Sequence, residues 1–126
     1  MSLNFETNMW ESLLGWQNSG LMSANLTPLP AYQAFQVARE SIGPATYTGE
    51  VLPSDVGGAP GIRGFKFTHE DGRQVWALWY ASVTEASHAV TFTTQPGSAW
   101  DMLGNPLNLS SGLVVGVDPI YVEWAP

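Results

Sequence analysis

Two strand-prone runs stand almost back to back in the middle of the chain. Gly64-Phe65-Lys66-Phe67-Thr68-His69 is separated from Gln74-Val75-Trp76-Ala77-Leu78-Trp79-Tyr80 only by Glu70-Asp71-Gly72-Arg73. An Asp-Gly pair between two such runs is the strongest short-range signal for a β-hairpin. In the second run Val75, Ala77 and Trp79 share one face, and Trp76 and Leu78 share the other. A strand that is apolar on both faces belongs in the interior of a sheet.

From Ala45 onward the hydrophobic period is two, the period of strands. Strands are expected over 46–52, 62–69, 74–81, 88–94, 99–102, 113–117 and 120–124. Leu103-Gly104-Asn105-Pro106 and Asp118-Pro119 supply turns, and 53–61 reads as a loop. Thirteen Gly and nine Pro leave little room for long helices. These features predict a mainly β fold, an antiparallel β-sandwich of about seven to eight strands with an N-terminal helical segment.

Residues 1–44 have a different texture. Met9, Trp10, Leu13 and Leu14 recur at helical spacing, which suggests a short helix over 8–15, and Asn18-Ser19-Gly20 marks a turn. A second helix is better signalled. Thr27 is suited to its N-cap, Pro28 to its first position, and Gly43-Pro44 to its stop. Ala31, Ala34, Phe35, Ala38 and Ile42 fall on one face of it, with Tyr32 and Arg39 at the edge. The organisation expected is therefore a helical segment over 1–44 and a β domain over 45–126.

With 126 residues the chain can bury one substantial core. Its net charge is −7, and only Arg39, Arg63, Lys66 and Arg73 are basic, so it cannot neutralise a row of phosphates. Nucleic acid and anionic membrane are poor partners for such a surface. The absence of cysteine removes disulfides, thiolate metal sites and thiol nucleophiles. No run approaches the roughly 20 apolar residues that span a bilayer. The start lacks the basic and apolar segments of a signal peptide, and Met1-Ser2-Leu3 reads as an expression leader on an excised fragment.

The segment Thr27-Pro28-Leu29-Pro30-Ala31-Tyr32-Gln33-Ala34-Phe35-Gln36, preceded by Gly20-Leu21, resembles the closing helix of many (β/α)-barrel glycoside hydrolases. Trp100-Asp101-Met102-Leu103-Gly104-Asn105 and Val117-Asp118-Pro119-Ile120-Tyr121-Val122-Glu123 are similar to motifs in the β-sandwich appended to such barrels. The two matches fall in the right order, with Val75-Trp76-Ala77-Leu78-Trp79 between them as the core strand. The resemblance implies a C-terminal piece of a glycosidase, comprising the last barrel helix and the sandwich. It also implies that the catalytic carboxylates lie upstream.

Glycoside hydrolysis requires two carboxyl groups facing one sugar, about 5 to 10 Å apart. Glu50, Asp55, Glu70, Asp71, Glu85, Asp101, Asp118 and Glu123 are available, but most sit in or beside turns, where acidic residues cap backbone N–H groups. His69 and His88 lie on different strands without metal-ligand spacing and are expected at surface or edge positions. Asp101 and Asn105 could ligate Ca²⁺, although an Asx turn accounts for the same residues. No nucleophile elbow and no phosphate-binding glycine loop is present.

Catalytic residues, cofactors and metals are thus not expected within the chain. Aromatic faces stack on sugars as well as on each other. Trp10, Trp16, Tyr32, Phe35 and Trp100 are the candidate contacts to carbohydrate or to a neighbouring domain. The partners expected are the upstream catalytic barrel, a carbohydrate, or a second copy covering an exposed apolar patch. The leading functional expectation is a noncatalytic accessory domain buttressing the barrel. A carbohydrate-binding module is the alternative, and a free-standing glycosidase a weaker third.

Overall fold

The computed structural model describes Asn25 and residues 27–126. The expected helix over 8–15 lies outside the described residues. The chain divides into two compact units, 1–36 and 37–126. The described elements are helix α1 (Pro30–Ile42) and strands β1 (Thr46–Glu50), β2 (Ile62–Thr68), β3 (Gln74–Tyr80), β4 (Ser87–Val90), β5 (Ser98–Asp101), β6 (Leu113–Gly116) and β7 (Ile120–Trp124).

The strands form two antiparallel sheets, one of five strands in the order β1-β2-β3-β7-β5 and one of two, β4-β6. β3 occupies the middle of the larger sheet, as its two apolar faces require. Its inner face carries Leu78 and Tyr80, which join Ile62, Ala99, Ile120 and Val122 of the same sheet and Val90, Leu113 and Val115 of the smaller one in a shared core. Its outer face carries Val75 and Ala77. These meet Tyr121, with Val37, Ala38 and Ile42 of α1 packed against them. The C-terminal half of α1 therefore belongs with the strands.

The β2–β3 connection is wider than a two-residue Asp-Gly turn. Gly72 N–H donates to His69 O at 3.0 Å, His69 N–H donates to Arg73 O at 2.9 Å, and the pairing begins at Thr68↔Gln74. Gly72 has φ of 91°, in the left-handed region that a side chain disfavours. A type I turn closed by a left-handed glycine is the usual three-residue hairpin solution.

Three local expectations need correction. The helix starts at Pro30 rather than Pro28. Leu29 precedes a proline and is pushed towards extended backbone, so no helix can run through it. The segment 53–61 is not wholly irregular, because Pro53–Val56 forms a 3₁₀ turn. β4 stops at Val90 instead of reaching Thr94. Its only partner, β6, begins at Leu113, which already faces Val90, so nothing remains for 91–94 to pair with.

His69 is buried, not at the surface, and its Nε2–H donates to Ser41 O at 2.9 Å. Ser41 is buried too, and its Oγ accepts from Trp100 Nε1 at 2.9 Å. One serine thus ties the end of α1 to both the β2–β3 hairpin and β5, and gives one of the orphan carbonyls of the helix terminus a partner. Replacing Ser41 with Ala strands the indole donor of Trp100. The expected cost is about 1–2 kcal/mol, read from urea unfolding.

Candidate functional site

Five acidic residues, Asp55, Asp71, Glu85, Asp101 and Glu123, are engaged in structural roles. Asp55 pairs with Lys66 Nζ at 2.7 Å and accepts from Leu52 N–H at 2.7 Å. Arg73 bridges Asp71 at 2.8 Å and Glu123 at 2.9 Å. Glu85 accepts from the Tyr80 hydroxyl at 2.9 Å. Asp101 Oδ1 accepts from the N–H groups of Leu103 and Asn105, and its Oδ2 accepts from Asn105 Nδ2. That is an Asx turn, and among the described residues no group of three or more His, Asp or Glu side chains could hold a metal.

These contacts set the charges. Burial pulls the Asp55 carboxyl upwards, but the Lys66 and Leu52 hydrogen bonds and the Lys66 charge hold it below the usual range. Burial likewise raises Asp101, and its bonds from Asn105 and Leu103 overcome that. Asp71 is lowered by the backbone and side-chain bonds from Arg73. All three are depressed in the fold, so the stability they add is present above the ordinary aspartate value of about 3.9 and is lost as pH falls through the lower folded values. The urea midpoint should therefore fall as pH drops below about 4.

Of the sequence candidates, Tyr32, Phe35 and Trp100 fall among the described residues. Trp10 and Trp16 lie outside the described residues. Tyr32 and Phe35 are half-buried on α1, where the Tyr32 hydroxyl accepts from Gln36 Nε2 at 3.2 Å. Trp100 donates to Ser41 and stacks on Tyr121 with ring centres 6.1 Å apart. It borders a cavity of about 270 Å³ with Val37, Glu40, Ser41, Arg73, Gly104 and Glu123, where Arg73 and Glu123 already pair.

Two other aromatic groups stand out. On the outer face of the large sheet, Tyr47, Phe65 and Trp79 form a row across β1, β2 and β3, with ring centres 5.9 and 5.5 Å apart. Tyr47 also meets Phe67 edge-on, and Phe67 packs with the helix-bearing cluster, so the row continues the surface on which α1 sits. Tyr47 is 43% exposed.

The second group lies on the inner face of the same sheet. Trp76 and Trp124 have ring centres 4.5 Å apart, and Phe92 meets them at 6.1 and 5.3 Å. With Asp55, Gln74, Thr93, Thr94 and Ala125 these rings line an open groove of about 350 Å³. Lys66 Nζ sits 4.6 Å from the Trp76 ring centre, a cation–π contact. Trp124 Nε1 donates to Thr94 O at 2.9 Å, whereas the buried Trp76 Nε1 has no acceptor. The sequence favours a core role for Trp76 and Trp124. Their shared face was legible in the alternation once Gln74 is set opposite Trp124 and Trp76 opposite Val122.

With this geometry in place, the comparisons with known proteins decide the fold relationship. In fold the chain resembles part of a glycoside hydrolase. One matching structure is a family 39 glycoside hydrolase from the gut symbiont Bacteroides cellulosilyticus WH2, with a TM-score of 0.61 and 18% identity. The match covers 82% of this chain and 21% of that one, so the chain spans about a fifth of the glycosidase it resembles. No protein-family model and no curated protein matches the sequence.

Proposed function

We propose that this chain is the noncatalytic C-terminal β domain of a glycoside hydrolase, and that it steadies an upstream catalytic barrel. One observation carries the reading: most of this chain superposes on a small share of a much longer glycosidase. The engagement of Asp55, Asp71, Glu85, Asp101 and Glu123 in structural bonds supports it, because each of these carboxylates already has a hydrogen-bond partner within the fold. The surface offered to the barrel is the outer face of the large sheet, where Tyr47, Phe65 and Trp79 form an aromatic band beside the C-terminal half of α1. Burial of such a band stabilises an interface by about 25 cal/mol per Å², and domain interfaces within one chain are built in this way.

The test compares aryl-glycoside hydrolysis by three proteins: this chain alone, the parent polypeptide, and the parent lacking 45–126. The chain alone should be inactive. The parent should hydrolyse the substrate, and the truncated parent should melt at a lower temperature. Hydrolysis by the isolated chain, or a truncated parent as stable as the whole, overturns the reading.

A further inference from the structure

We infer that the groove lined by Trp76, Phe92 and Trp124 is a binding subsite for a neutral sugar ring, separate from the surface proposed to meet the barrel. The two lie on opposite faces of the same sheet. Strand alternation requires this, since Trp76 and Trp124 pack with the inner core while Phe67, Val75 and Ala77 pack with α1.

Three features select the ligand. The groove is lined by three aromatic residues together with the polar residues Gln74, Thr93 and Thr94. That mixture of an apolar wall and a few hydrogen-bonding groups suits a pyranose, whose faces are apolar and whose rim is hydroxylated. Its volume of about 350 Å³ lies at the small end of ligand sites, which run from roughly 300 to 1,000 Å³.

The charge is balanced as well. Asp55 on the rim is neutralised by Lys66 at 2.7 Å, so the groove offers no surplus charge to attract an ion.

The experiment follows the indole N–H resonances of ¹⁵N-labelled protein during separate titrations with xylohexaose, cellohexaose and mannohexaose, with glycerol as the control polyol. Saturable shifts of the Trp76 and Trp124 signals with at least one hexasaccharide, and none with glycerol, are expected. Gln74→Ala should weaken that binding about fivefold, the loss of one net hydrogen bond of about 1 kcal/mol. Val114→Ser, on the exposed face of β6, should leave it unchanged. Trp124→Ala should abolish it, and because that variant can also unfold, the exposed Gln74 provides the decisive comparison. No saturable shift with any of the three sugars, equal shifts with glycerol, or full binding by Gln74→Ala overturns the proposal. Each result is independent of the parent enzyme's stability and activity, so the two readings fail separately.

Discussion

Leu78→Ala should lower the unfolding free energy by about 3–4 kcal/mol, the upper part of the range for truncating a fully enclosed leucine. Leu78 has no solvent exposure and lies where the two sheets share their core, opposite Ile120 on β7. Collapse around the deletion is hindered because β2 and β7, the strands flanking β3, each pair on both sides. Equilibrium urea denaturation followed by tryptophan fluorescence would show the effect as a lower midpoint with an unchanged slope. A loss below about 1 kcal/mol would mean that the two sheets are not in close contact at this point.

Gly64→Ala should cost about 2–3 kcal/mol, for the opposite reason. Here nothing is removed, but a single added carbon has no room. A Cβ at Gly64 would sit 2.4 Å from Ala77 O, 2.7 Å from Leu78 Cδ2 and 3.1 Å from Val51 Cγ2. The first neighbour is backbone within the β2–β3 ladder and cannot yield without breaking the pairing. The second is a side chain that Leu78→Ala deletes. The double variant should therefore be less unstable than the sum of the two singles, yet still strained by the carbonyl contact. Sites in contact show such coupling at the level of about 0.5–3 kcal/mol. Strict additivity would place the strain wholly in the backbone.

Much of the fold was legible before any coordinates. The β2–β3 hairpin, the strand at Ile120–Trp124 and the helix stop at Gly43-Pro44 all follow from local chemistry: side-chain alternation, a left-handed glycine, and a proline that cannot continue a helix. The errors are also local and physical. Leu29 is excluded from the helix by the proline after it, and 91–94 leave the sheet because β6 supplies no partner. His69 gives no sign of burial in the sequence, since its acceptor is the Ser41 carbonyl, 28 residues away.

The candidate site was less legible. Trp100 is a candidate contact from the sequence, and the sequence gives no sign that its N–H is committed to Ser41, 59 positions earlier in the chain. Trp76, Phe92 and Trp124 are distributed over 49 residues, and no motif connects them. They meet because β7 lies beside β3 and because the chain leaving β4 passes over the same face. The rim of the groove depends on a further long-range contact, the pairing of Lys66 with Asp55.

The sequence by itself determined which residues alternate across a strand, where the chain turns, and that a helix precedes the β domain. Those are properties of neighbouring residues, governed by steric limits on φ and ψ and by the two-residue period of a pleated strand. Tertiary structure alone decided that β7 inserts between β3 and β5, that β4 and β6 pair away from the larger sheet, and that Ser41 holds both Trp100 and His69. Backbone hydrogen bonds are chemically alike along every strand, so they cannot choose partners. The choice falls to the packing of whole faces, which brings together side chains that the sequence keeps far apart.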